Sequence, residues 1–81
     1  MRYLVVRGKS RTFVQTVERF LYDGQSVVSE PVETMFGSQV VIVESPDANA
    51  QYVADRLQSG MFGARVFDTR TEAEAAIAED M

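Results

Sequence analysis

The sequence predicts an α+β fold: an antiparallel sheet built in the order β-α-β-β-α-β, with an extra C-terminal helix. Three observations predict it. Gln39-Val40-Val41-Ile42-Val43-Glu44 is the most apolar run, is short and β-branched, and lies between Gly37-Ser38 and Ser45-Pro46-Asp47, the pattern of a central strand. Phe13, Val14, Val17, Phe20 and Leu21 fall on one side of a helical wheel, opposite Gln15, Thr16, Glu18 and Arg19. Strand and helix signals alternate along the chain, and Pro31, which has no N–H for a ladder, falls in the second strand segment, where an edge or a break is expected.

Taken in order, Tyr3-Leu4-Val5-Val6 reads as a strand apolar on both faces, and Arg7-Gly8-Lys9-Ser10-Arg11 as a basic loop. Thr12 with Gln15 fits a capping box opening the first helix, and Asp23-Gly24 fits its end, Gly24 taking the left-handed C′ position. Residues 26–36 are extended, with Val28, Val32, Thr34 and Phe36 sharing a face. Gly37-Ser38 fits a two-residue hairpin turn into residues 39–44. Ser45 as cap and Pro46 as first residue suit a second helix, lined by Ala50, Val53, Ala54, Leu57 and Met61 and stopped by Gly60. Residues 64–68 form a last strand. Thr71 with Glu74 fits a second capping box, opening a thin helix that runs to about Asp80 with Ile77 as its one large apolar anchor.

This order matches the split βαβ, or ferredoxin-like, arrangement, with the first and third strands central and the second and fourth at the edges. Strand side chains alternate between faces. The apolar runs 4–6 and 40–43 therefore demand a cover on both faces of the sheet. A second subunit stacked on the far face is the expected cover, with Leu4, Val6, Val41 and Val43 as interface residues and Tyr52 as a further contact. The alternative cover is the last helix together with the second-strand segment.

Length and composition bound the rest. The 81 residues suit a single small domain spanning 1–81, which buries only ~60–65% of its unfolded surface and gains from a partner. The chain has no Cys, no His and no Trp. Disulfides, the usual zinc and haem ligand sets, and Cys–His or Ser–His nucleophiles are thereby excluded, and no cofactor or metal is expected. The first apolar run is too short for a signal peptide or a membrane span, so a cytoplasmic protein without membrane association is the default expectation. The net charge of −4 makes the protein acidic and disfavours general nucleic-acid binding. The charge is uneven: residues 1–22 hold Arg2, Arg7, Lys9, Arg11 and Arg19 against Glu18, whereas the remainder holds three cations against eleven acids.

Among the candidate sites, the loop Arg7, Gly8, Lys9, Ser10, Arg11 and Thr12 joins a strand to a helix N-terminus, where backbone N–H groups and the helix dipole favour anions. It is not a Walker A loop, which needs a longer glycine-framed segment before its Lys. Residues 6–13 resemble the phosphate loop of acylphosphatases, which would imply phosphate binding after strand 1. The catalytic Asn of that family has no counterpart, since the sole Asn is Asn49 in the second helix. RNA-recognition modules share the element order but stack bases on central-strand aromatics, and residues 39–44 contain none. Met61-Phe62, framed by Gly60 and Gly63, reads as a pair of core plugs or as a contact tip. The acidic residues Glu72, Glu74, Glu79 and Asp80 suit a solvated helix face, or a surface that docks on a basic partner. The expectation is a non-enzymatic binding or regulatory module acting through protein contacts as a homodimer. The alternatives are a small-ligand or phosphate-binding domain using loop 7–12, and a small enzyme with a dimer-interface pocket.

Overall fold

The central strands are the two runs whose β-branched residues leave no polar face. In the computed structural model, which describes residues 1–79, they are β1 (Arg2–Gly8) and β4 (Gln39–Ser45). They pair antiparallel from Arg2↔Ser45 to Gly8↔Gln39. On the other side of β1 lies β5 (Gly63–Phe67), also antiparallel, from Tyr3↔Phe67 to Arg7↔Gly63. The outer side of β4 carries two short strands, β2 (Ser26–Val27) and β3 (Val32–Glu33). The result is a five-stranded antiparallel sheet in the order β2-β4-β1-β5, with β3 beside β4. Three helices complete the fold: α1 (Phe13–Phe20), α2 (Asp47–Ser59) and α3 (Arg70–Glu79).

Pro31 explains why the second strand segment is two pieces. The ladder stops on both sides of Glu30-Pro31, and Ser29 bridges the gap. Its hydroxyl accepts the Ile42 N–H at 2.8 Å, while Ile42 C=O accepts the Val28 N–H at 2.9 Å. The exposed Arg70 guanidinium donates to Val28 C=O at 3.0 Å and ties α3 to this edge.

Each face of the sheet has its own core. Leu4, Val6, Val41, Val43 and Ala64 face α1 and α2 and pack with Phe13, Val17, Ala50, Val53, Ala54 and Leu57. Val5, Val40 and Ile42 face the other way and pack with Ala73, Ala76 and Ile77 of α3, Tyr3, Val32 and Phe67 adding to the cluster. The far face therefore has its cover within the chain. Leu4, Val6, Val41 and Val43, expected at a subunit interface, are completely buried beneath α1 and α2 and offer nothing to a partner. α3 is more than a thin cover. Its alanines are small enough to let the helix lie close on the sheet, so Ala73 is as buried as any core valine.

Several helix ends and turns fall one to three residues from their expected places. Thr12 precedes α1 but makes no capping hydrogen bond. Its hydroxyl lies with those of Ser10 and Thr16, and Ser10 Oγ accepts the Thr12 N–H at 3.1 Å. α1 stops at Phe20, and Gly24 (φ +86°) instead serves a turn closed by Gln25 N–H to Tyr22 C=O at 3.0 Å. Ser45 ends β4 rather than capping α2, whose N-cap is Pro46. The Ser45 hydroxyl donates to Pro46 C=O and accepts from the Gln25 carboxamide, so its complete burial leaves no unmet group. α3 is capped by Thr69 with Glu72, not Thr71 with Glu74. Thr69 Oγ1 accepts the Glu72 N–H at 3.2 Å and donates to the Glu72 carboxylate at 3.0 Å. Asp80 lies outside the described residues.

Candidate functional site

The pairings Arg7↔Gly63 and Gly8↔Gln39 bring three loops to one end of the sheet. They are the β1–α1 loop (residues 9–12), the β3–β4 hairpin (residues 34–38) and the α2–β5 connection (residues 60–62). Between them lies a cleft of about 460 Å3 lined by Arg7, Gly8, Lys9, Phe36, Ser38, Met61 and Gly63.

The hairpin is wider than the expected Gly37-Ser38 turn. Gly37 N–H donates to Thr34 C=O at 3.1 Å, making a β-turn with Met35 and Phe36 at its two central positions. Gly37 follows at φ +81°, and Thr34 N–H to Ser38 C=O at 2.9 Å closes the loop. The sequence folds this way because Thr34 and Ser38 are both buried hydroxyl residues. Their Oγ atoms lie 2.8 Å apart, and Thr34 Oγ1 also accepts the N–H groups of Phe36 and Ser38, each at 3.3 Å. This network fixes the turn, and the turn projects Met35 and Phe36 into solvent, 77% and 75% exposed.

The second loop is equally well fixed. Phe62 N–H donates to Leu57 C=O at 3.0 Å and Met61 N–H to Gln58 C=O at 3.1 Å, the paired bonds of a Schellman motif. Gly60, expected to stop the helix by its flexibility, has an ordinary φ of −85°. A Cβ there would sit 2.8 Å from Phe20 Cζ, so the tip of that half-buried ring would have to shift to admit one. The left-handed position of the motif falls to Met61 (φ 71°), 93% exposed. Met61 and Phe62 thus divide. Phe62 packs on Phe13 and Phe20 with ring centroids 5.8 Å from each, while Met61 is no part of the α2 face and stands at the cleft wall.

The basic loop supplies the third side. A Cβ on Gly8 would meet the rings of Phe62 and Phe13 at 2.7–2.8 Å, so the backbone at Gly8 lies directly on the aromatic cluster. Beyond it Lys9, Ser10, Arg11 and Thr12 are exposed. Of the six residues expected to bind an anion, the structure brings Arg7, Gly8 and Lys9 into the cleft, and Ser10, Arg11 and Thr12 lead away from its lining. Sequence reasoning missed Phe36 as a cleft residue. Its available signal was a Met-Phe pair at turn centre, where Gly, Asn, Asp, Pro and Ser dominate.

A second exposed cluster lies on the α1–α2 side. Tyr22 and Tyr52 pack with ring centroids 5.7 Å apart, and the Arg56 guanidinium sits over the Phe20 and Tyr22 rings at 5.4 and 5.2 Å while donating to the Tyr22 hydroxyl. Tyr52, expected as a further contact, stands in a cluster with Tyr22 and Arg56. The Tyr52 hydroxyl, hydrogen-bonded to Tyr22, holds the Tyr22 phenol below the usual tyrosine range, with Arg56 adding to the effect. Tyr52 is pushed up by the same contact. Among the described residues no group of three or more acidic, His or Cys side chains could hold a metal, and no helix is long and apolar enough to cross a membrane. Compared with protein-family models, with curated proteins and with solved structures, the chain matches none.

Proposed function

We propose that this chain is a ferredoxin-like binding module that works by protein contact through the three-loop end of its sheet. The topology reading is supported by β1 and β4 at the centre, with β5 at one edge and the Pro31-broken segment at the other. The α1 and α2 helices share one face.

One observation carries the functional reading. Met35, Phe36 and Met61 occupy two turn centres and a left-handed helix end, positions where local energetics favour Gly or small polar residues. All three are more than 70% exposed and converge on one end. Rigid turns that hold large apolar groups in water make sense when something else covers those groups. Burying the three would contribute roughly 5–9 kcal/mol at ~1.5–3 each. About 4 kcal/mol or more is offset by lost freedom on association, which points to a moderate-affinity, regulatory type of contact.

The test compares three baits in pull-downs from the source-cell lysate, read by mass spectrometry: the wild-type chain, a Tyr52→Ser variant, and a triple variant carrying Met35→Ser, Phe36→Ser and Met61→Gly. A protein held by the wild type and by a Tyr52→Ser bait, but lost from the triple variant, is the expected result. Equal recovery on the triple variant would sink the reading.

A further inference from the structure

Resting on that reading, we infer that the loop-end cleft binds a protein segment in which an apolar side chain neighbours Asp or Glu. The apolar side chain packs between Phe36 and Met61, and a carboxylate meets Lys9 on the cleft wall.

The charge distribution selects this occupant. The three loops, residues 9–12, 34–38 and 60–62, contain no acidic residue, although the chain has 12. Arg7, Lys9 and Arg11 lie in or beside them, and the acid nearest them in sequence is Glu33. The rest of the chain sets all 12 acids against six arginines, so an approaching anionic segment meets net negative charge there and is drawn to this end. Shape narrows the choice further. Phe36 and Met61 line a concavity of about 460 Å3 along with Arg7, Lys9 and Ser38. A concavity suits an inserted side chain better than a flat lipid surface does. Met61, with its unbranched and adaptable side chain, allows aliphatic and aromatic guests alike, so the segment is defined by pattern more than by one sequence. Lys9 is the cation placed to meet a carboxylate, because it lines the cleft on a short exposed loop.

The experiment pans a displayed library of random peptides against the immobilised full chain and measures the enriched peptides in solution by fluorescence anisotropy. Enrichment of sequences pairing Leu, Ile, Phe or Met with Asp or Glu is expected. Their affinity should fall about tenfold with Lys9→Glu, by a similar factor with Phe36→Ser, and steadily as salt is raised. The substituted residues are exposed, so each variant should keep the wild-type circular dichroism spectrum and melting temperature. Enrichment of neutral or basic peptides, no enrichment, or affinity unchanged by Lys9→Glu overturns the inference. Tighter binding to vesicles of anionic phospholipid than to any peptide overturns it in favour of a membrane surface. Concentration-dependent sedimentation abolished by Lys9→Glu overturns it in favour of a second copy of this chain. Should the triple variant lose its cellular partner while no acidic–apolar peptide binds, this inference fails and the contact reading stands. Should the partner stay on the triple variant, the contact reading itself fails.

Discussion

Replacing Met61 with Gly should make the protein more stable and worse at its task. Met61 sits at φ 71° at the left-handed position of the Schellman motif that ends α2. A residue with a Cβ pays about 1–2 kcal/mol there, because its Cβ crowds the following carbonyl. Glycine removes that strain but adds ~0.5–1 kcal/mol of unfolded-chain entropy. Since the Met61 side chain is 93% exposed, its removal forfeits almost no buried area. The net gain lies between about 0 and 1.5 kcal/mol, and its centre of about 0.75 kcal/mol raises the melting temperature of a domain of this size by roughly 3–6 °C. The assay is thermal unfolding by circular dichroism, run beside the peptide-binding measurement. A higher melting temperature with weakened binding is the expected pair. A lower melting temperature would show that the Met61 side chain packs in solution, and the claim that stability is forgone for display would fall.

Three further outcomes follow from packing and charge. Gly8→Ala drives a methyl into the Phe13 and Phe62 rings at 2.7–2.8 Å, and should destabilise by about 1–3 kcal/mol in urea unfolding; wild-type stability would show that the rings move aside freely. Ala73→Arg places a long cation where no space exists beneath α3, and should uncover Val5, Val40 and Ile42; enhanced binding of a hydrophobic dye and self-association by sedimentation would register it, and a well-behaved monomer would count against α3 as the cover. Tyr22, whose folded pKa is depressed, should be the first tyrosine to ionise in an alkaline ultraviolet titration. Depression means that the folded state favours the phenolate, so this contribution is present above the unfolded tyrosine pKa and is lost as pH falls through the folded one. Tyr22→Phe should remove the earliest step, and a profile unchanged by that substitution would refute the assignment.

The central strands, the apolar faces of α1 and α2 and the break at Pro31 were all legible because each rests on local periodicity or on a missing N–H. Helix caps were harder because hydroxyls cluster near each start. Ser10 and Thr12 compete at α1, and Thr69 and Thr71 at α3, so a residue pattern alone does not say which one turns toward the first-turn N–H groups. The cover on the far face is hard to read from the sequence for a different reason. Ala73 and Ala76 carry little apolar area, yet their smallness lets α3 approach the sheet. Of the candidate site, Arg7 to Lys9 stood out by charge. Phe36 and Met61 lie 25 positions apart in sequence and meet only through the strand register, which no local signal encodes.

The same geometry relocates the case for a partner. Alternation along β1 and β4 demanded a cover on both faces of the sheet, and α1, α2 and α3 provide it within one chain. A sheet-on-sheet dimer therefore loses its driving surface, because the residues that would form it have none left to bury. The three most exposed large apolar side chains, Met35, Phe36 and Met61, lie at the loop end, on turns held by the Thr34–Ser38 hydroxyl pair and by the hydrogen bonds after Leu57. A surface that is rigid before contact loses little entropy on binding. On the contact reading proposed above, three apolar side chains and a few cations would then suffice. The strand run that organises the sheet acts indirectly: its register with β1 places the Phe36 hairpin beside Lys9, and the register of β1 with β5 places Met61 across from it.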